Sequence, residues 1–335
     1  MTADAQLYPT PEGLYCPAGD FHVDPLRPVR RALITHGHAD HARPGHGAVL
    51  ATRQTLDIMA IRYGEDFTQS RQEAVGRVRI GDAEVSFHPA GHVLGSAQIE
   101  IATGGRRFVV TGDYCRHPNP VAAPFEPVPC DVFVTEATFA LPVFRHPDPA
   151  AEIGKLLASV RAFPDRAHLV GAYALGKAQR VIMLLREAGW DAPIYLHGAL
   201  ERLCWYHVEQ GVPLGDLRPA TTDRKTKADF AGQIVLAPPS AFAATWAQRF
   251  PDPVICFASG WMQIRARARQ RGVELPLILS DHADWPDLLR TIDEVDPQET
   301  WITHGREDAL MRELDLRGRV GRPLRLVGYE DEAEA

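Results

Sequence analysis

The run THGHADH, residues 35–41, carries four side chains of the types that hold divalent metals: His36, His38, Asp40 and His41. Imidazole and carboxylate are donors that zinc accepts at roughly 2.0–2.2 Å. The run follows directly on the apolar stretch RALIT, which reads as a strand, and alternate residues of an extended loop project to the same side. His36 and His38 can therefore converge on one ion, while a turn at Ala39 would aim Asp40 and His41 at a neighbouring one. A lone histidine is ordinarily a packing residue, but four donors in this order behind a strand read as a metal loop. Each ion needs three or four protein donors, and three further residues end apolar runs in the same way. They are His92 in PAGHVLGSAQ, Asp113 in VVTGDY and His304 in WITHGRE. Asp113 has two oxygens and so can bridge two ions.

Elements that could position these residues are legible in the apolar patterning. RALIT (31–35), AEVSFH (83–88), SAQIEIA (96–102), RRFVVTG (106–112) and DVFVTE (131–136) are rich in β-branched and apolar residues and read as strands. RQTLDIMAIRY (53–63) reads as a helix. From about residue 150 the rhythm changes to helix alternating with strand: AAEIGKLLASVRAF, HLVGAY, GKAQRVIMLLREAG, APIYLH, a helix over 199–210, QIVLAP, a helix near 241–249, and PVICFAS. That alternation predicts a parallel α/β layer. LPLILS, WPDLLRTIDEV, ETWITH, a helix near 306–316 and PLRLVG close the chain. The pattern predicts one domain built from both ends of the chain, interrupted by a second domain inserted at roughly 145–270.

Composition bounds the function. The chain has 335 residues, 45% of them hydrophobic and 24% charged, an ordinary globular balance. No stretch approaches the roughly 18 apolar residues of a membrane span, so no membrane role is expected. The opening MTADAQLYPTPEG lacks a secretory pattern, which makes the cytoplasm the expected location. Five scattered cysteines without a C-x-x-C pair speak against a disulfide framework or a cysteine zinc finger. A net charge of -7 argues against coating nucleic acid by bulk charge. It leaves a nuclease open, because two divalent ions would add about four positive charges where a phosphate must sit. The segment WMQIRARARQRG concentrates Arg265, Arg267, Arg269 and Arg271 without an acid, whereas the terminal EDEAEA is acidic.

HGHADH, AGHVLGSAQ and TGDY closely resemble the metallo-β-lactamase superfamily, and specifically its nucleic-acid-cutting β-CASP branch. The resemblance implies an α/β fold: an αββα sandwich with an inserted β-CASP domain. Applied to this chain, it gives a sandwich from residues 1–145 and 273–328, a β-CASP domain over 146–272 and an acidic tail at 329–335. It also implies two divalent ions, zinc or manganese. The first would take His36, His38 and His92, the second Asp40, His41 and His304, and Asp113 would bridge them. Asp24 in FHVDP matches the acidic residue that supports the ligand loop, and Glu136 in TEATF the one that opens the β-CASP segment. His282 in LSDHADW matches the histidine just after the insertion. GLYCPAGDFHVDPLRPVRRALITHGHADHARPG, with ASGWM and SDHADW, is similar to the bacterial ligase-associated DNA exonucleases. That similarity implies a DNA substrate and a functional association with an ATP-dependent DNA ligase and a helicase. His304 is shared with the RNA-cutting members, so an RNA-processing ribonuclease stands beside the DNA reading.

The expected chemistry is hydrolysis of a phosphodiester by metal-activated water, with Asp40 and Asp113 in the catalytic centre. His282 is the candidate general acid and Glu136 the partner that orients it. Lys177, at a helix start, and Ser259 with Gly260, in a turn after a strand, are candidate phosphate anchors. Arg265, Arg267 and Arg269 are candidates for tracking a nucleic-acid backbone. A small-molecule hydrolase of the same fold would not need the insertion, and a non-catalytic scaffold would not need every donor position filled.

Overall fold

The computed structural model describes residues 6–220, 230–243, 246–250, 252–305 and 307–324. The acidic tail expected at 329–335, and PLRLVG beyond Leu324, lie outside the described residues. The chain divides into two compact units, Met1–Arg145 with His282–Ala335, and His146–Asp281. The second unit thus runs past the expected boundary at 272, because Leu275–Leu277 is a strand paired with the neighbouring strand Val254–Ala258.

The first unit opens with β1 (Tyr8–Thr10), β2 (Gly13–Cys16), β3 (Phe21–Val23), β4 (Arg31–Leu33), β5 (His46–Ala51), α1 (Arg53–Tyr63) and β6 (Thr68–Glu73). These six strands form one sheet in sequence order, antiparallel through β3 and parallel from β3 onward. Next come β7 (Arg77–Ile80), β8 (Ala83–Pro89), β9 (Ala97–Thr103), β10 (Arg106–Val110) and β11 (Val132–Ala137). In the second unit lie α2 (Pro149–Ala162), β12 (His168–Gly171), α3 (Lys177–Glu187), β13 (Ile194–Leu196), α4 (Gly198–Glu209), β14 (Leu217–Pro219), β15 (Ile234–Ala237), β16 (Val254–Ala258), α5 (Arg265–Gln270) and β17 (Leu275–Leu277). The chain then returns to the first unit as α6 (Trp285–Val295), β18 (Glu299–Gly305), α7 (Glu307–Leu316) and β19 (Gly321–Pro323).

Burial explains the layering of the first unit. Its second sheet runs β19-β18-β11-β10-β9-β8-β7. Leu14, Phe21, Leu33 and Leu50 of the first sheet share one apolar core with Ile99, Phe108, Val134 and Trp301 of the second. On its other face the first sheet packs Ala32 and Val49 against Leu56 and Met59 of α1. The second sheet packs Val109, Phe133 and Ile302 against Leu288 and Ile292 of α6 and Leu310 and Leu314 of α7. Helix, sheet, sheet and helix follow one another, the order the resemblance implies. β11 is buried along its whole length, as a strand covered on both faces must be, which is why VFVTEA reads as an apolar run rather than an alternation.

The second unit is a six-stranded parallel sheet ordered β14-β13-β15-β12-β16-β17, as its helix–strand rhythm predicts. The helix expected near 241–249 is instead two 3₁₀ turns, Pro239–Ala243 and Ala247–Arg249. Trp246 and Phe250 are committed to the apolar core. Among the described residues, strands β1, β2, β3, β5, β6, β7 and β14 escaped the sequence reading, and β19 (Gly321–Pro323) meets the expected strand PLRLVG only at Pro323. β6, TQSRQE, is almost wholly exposed and has no apolar periodicity to detect.

Candidate metal centre

The donor-bearing residues of the first unit sit at strand ends. β8, β10, β11 and β18 point the same way, since β10, β11 and β18 are parallel and β8 is two antiparallel steps from β10. Their C-terminal ends deliver His92, Asp113, Glu136 and His304 to one rim, and β4 of the facing sheet delivers the loop 35–41. Gly112 makes the approach feasible. With φ 55° it takes a conformation that side chains disfavour, and a Cβ there would lie 2.5 Å from Thr35 Oγ1.

His36 Nε2, His38 Nδ1, His92 Nε2 and Asp113 form one cluster of candidate donors. His38 Nδ1 is 3.1 Å from His36 Nε2 and 3.0 Å from His92 Nε2, and Asp113 Oδ2 is 3.4 and 3.6 Å from those two Nε2 atoms. Four donors at 2.0–2.2 Å from a tetrahedral ion would stand roughly 3.3–3.6 Å apart. The other oxygen of Asp113, Oδ1, lies 3.5 Å from His41 Nε2, which is 3.7 Å from Asp40 Oδ2. His304 stacks on His41, ring centroids 5.0 Å apart. The two oxygens of Asp113 thus face two separate donor groups.

Asp24 sets the imidazole tautomers. Its Oδ1 accepts Thr35 N at 2.8 Å, and its Oδ2 accepts Thr35 Oγ1 at 2.6 Å and His41 Nδ1 at 2.8 Å. A carboxylate only accepts, so His41 carries its proton on Nδ1 and turns Nε2 to Asp113. Thr35 has given its single proton to Asp24, so its contact with His36 Nδ1, at 3.1 Å, is donated by the histidine. Nε2 of His36 is thereby left as the lone-pair nitrogen. Thr35 is a residue the sequence reading quoted without a role; only the fold reveals that it sits between Asp24 and His36. Asp24 and His304 adopt φ 44° and 55°, conformations that cost a non-glycine residue roughly 1–2 kcal/mol and that concentrate at functional sites.

Charge tests whether metal suits the site. Burial, then His41 and the other neighbouring histidines, holds His36 well below its usual value, hence neutral and competent to donate. Burial and His41 do the same to His304. Burial raises Asp113 to about 8, although His41 and His282 pull the other way. Against burial, the carboxylates of Asp113, Asp40 and Asp24 raise His41 to about 10. Burial also opposes ionisation of Asp40, but His41 and His38 lower it to about 2. Both Asp113 and His41 are driven to hold protons, the signature of a pocket short of positive charge. A divalent cation supplies that charge, and the residues fit it.

Beside this cluster, His282 Nδ1 lies 2.9 Å from Glu136 Oε2, while Glu136 Oε1 accepts Tyr114 N at 2.8 Å. Ala283 N donates to Tyr114 O, tying down the residue after His282. The His282 ring stands 4.7 Å from that of His92. A further His117, Asp284 and Asp287 group lies at the start of α6, where Asp284 caps the helix through Asp287 N.

The expected phosphate anchors of the second unit are placed differently. Lys177 is buried, and its ammonium reaches Asp281 Oδ2 and the carbonyl of Leu279, each at 2.9 Å. Arg180 engages the same carboxylate at 2.9 Å and the carbonyl of Ser280. Lys177 is therefore an internal ion-pair residue, not an anchor open to phosphate, because α3 turns its first residue inward. Ser259 Oγ accepts Trp261 N as a helix cap, and Ser259 and Gly260 are both buried. Arg265 and Arg269 are exposed, whereas Arg267 lies 4.1 Å over the Trp261 ring. Burial opposes ionisation of Asp281, but Lys177 and Arg180 lower its carboxyl to about 2. The stability it confers is full above the unfolded carboxyl value of about 3.9 and fades as pH falls through about 2. Asp281→Asn leaves two buried cations without their shared anion and is expected to cost about 3–5 kcal/mol at pH 7. Urea unfolding of the full chain reads this loss, and the gap between variant and wild type should narrow below pH 4; equal midpoints at pH 7 would contradict it.

No family model matches the chain. It is 27% identical over 317 residues to a "Probable DNA ligase" of Opitutus terrae, an alignment covering 91% of this chain and 30% of that protein. It is 25% identical over 259 residues to "Endoribonuclease ysh1" of Aspergillus fumigatus, covering 73% of this chain and 27% of the relative. It is 32% identical over 140 residues to "Cleavage and polyadenylation specificity factor subunit 3" of Dictyostelium discoideum, covering 38% and 18%. The chain thus spans less than a third of the length of these relatives. A crystal structure of a protein of unknown function from Enterococcus faecalis superposes with TM-score 0.57 at 14% identity, covering 89% of this chain and 80% of that one, a likeness of fold. The relatives support the metallo-β-lactamase and β-CASP nuclease family that the motifs resemble. Among the described residues no helix is long and apolar enough to cross a membrane.

Proposed function

We propose that this chain is a two-metal phosphodiesterase that trims DNA ends, with the second unit as its β-CASP domain. The observation that carries the reading is the carboxylate of Asp113, whose two oxygens face different donor groups within reach of the Glu136–His282 pair. His36, His38, His92 and Asp113 would hold one ion, and Asp40, His41, His304 and Asp113 the other. Zinc suits this donor set, and manganese is the alternative. When bound, the ions supply positive charge opposite the phosphate and bring the pKa of water towards 7.

The protein's own groups do the rest. Asp24 fixes the tautomer of His41 directly and that of His36 through Thr35. Glu136 accepts the Nδ1 proton of His282, so the proton passed to the departing oxygen is the one on Nε2. Arg265 and Arg269, both exposed, are the cations of the second unit proposed to meet a nucleic-acid backbone.

DNA is favoured because the alignment spanning 91% of the chain is with a protein named as a probable DNA ligase. Sealing requires matched ends, and a nuclease supplies them, which makes a DNA ligase the proposed functional partner; a helicase is added only by the resemblance to ligase-associated exonucleases. The five cysteine thiols suit a reducing cytoplasm. The relatives named endoribonucleases carry the second reading, an RNA-processing enzyme with the same centre. Matched DNA and RNA strands labelled at either end separate the two. The expected result with metal-loaded protein is stepwise shortening of DNA from one end, with RNA cut more slowly. RNA cut as fast as DNA, or internal cuts, would favour the ribonuclease instead.

A further inference from the structure

His92 is the one member of its donor group carried by a loop between two antiparallel strands, β8 and β9, and that loop is held from both sides. Ser96 Oγ accepts the N–H groups of His92 and Val93, each at 3.1 Å. Asn119 Nδ2 donates to the carbonyls of Gly91 and His92, at 3.1 and 2.8 Å. The amide orientation is pinned, because Asn119 Oδ1 accepts Val121 N at 3.2 Å. Two side chains therefore satisfy four main-chain polar groups around one donor residue. Gly91 closes the tip with φ 76°, where a Cβ would meet the Cys115 carbonyl at 2.2 Å, so the loop lies tight against the segment that also carries Asp113.

From this geometry we infer that Ser96 and Asn119 are positioning residues that hold His92 Nε2 at its donor group and set how firmly the ion there is retained. The inference rests on the two-ion reading and extends it to residues that touch neither ion. An imidazole on a tight turn has few ways to move except by rotation of the turn itself. Both side chains resist that rotation, one through the N–H groups and one through the carbonyls. Partners of this kind typically change metal affinity by about 10–100-fold.

The test follows zinc release from the full, zinc-loaded chain under a chelator, with metal counted over time and His92→Ala as reference. Wild type is expected to release two ions. Ser96→Ala and Asn119→Asp should release one of them about 10–100-fold faster, keep the other at the wild-type rate, and melt with wild-type cooperativity before chelation. Aspartate matches asparagine in size but cannot donate to the two carbonyls. Ser96→Thr keeps the hydroxyl and should retain the ion as wild type does. Wild-type release from both Ser96→Ala and Asn119→Asp overturns the inference, as does loss of both ions together or a threonine variant no better than alanine. A wild-type chain that binds no zinc sinks the two-ion reading itself, a separate outcome.

Discussion

His282→Ala should retain both ions and lose about 10²–10⁴-fold in turnover, the usual contribution of a general acid. The leaving alkoxide of a phosphodiester is a poor one, and protonating it is the part of the reaction that positive charge near the phosphate does not perform. His282 is equipped for this task by its surroundings. Glu136 fixes one face of the imidazole at 2.9 Å, and Glu136 is itself held by Tyr114 N, so the ring cannot turn its Nδ1 outward. Glu136→Gln should reproduce part of the loss, because an amide can still meet Nδ1 but no longer favours the charged ring. Elemental analysis and single-turnover rates on the same preparations check both variants. Wild-type turnover in His282→Ala would remove the general acid, and coincident loss of metal would make His282 a ligand.

The candidate donors were legible in the sequence because each follows an apolar run and so announces a strand end. THGHADH behind RALIT, His92 behind AEVSFHP and Asp113 behind RRFVV are local patterns, and the structure brings these residues together. What joins them was not legible. Thr35 acts through Asp24, eleven positions away in sequence, and Asn119 through Gly91, twenty-eight away; no periodicity records such contacts. Lys177 shows the opposite failure. Lysine after glycine at a helix start is a sound signal for an anion, and only the position of Asp281, about a hundred residues later, reveals that the anion is internal. The same holds for β6, whose exposed polar residues pair with β5 through main-chain hydrogen bonds that side-chain patterning does not encode.

Asp113→Asn should be more damaging than His282→Ala and by a different route. Asparagine has the same shape but offers one oxygen acceptor and no charge, so it cannot present an anionic oxygen to both donor groups. Asp113 is buried beside His36, His41 and His92, so a neutral amide there deprives both donor groups of their shared anion. The variant is expected to lose at least one ion and several kcal/mol of transition-state stabilisation, on the order of 10³-fold or more in rate. Stability supplies the independent readout. An ion that binds only the folded chain stabilises it by mass action, so chelation should lower the melting temperature of wild type. Asp113→Asn should already melt near the chelated wild type and respond little to chelator. His282→Ala, which keeps its ions, should respond as wild type does. The two substitutions therefore separate proton delivery from charge neutralisation. If Asp113→Asn bound two ions with wild-type affinity, the carboxylate would not be the bridge, and the two donor groups would have to be read as independent sites.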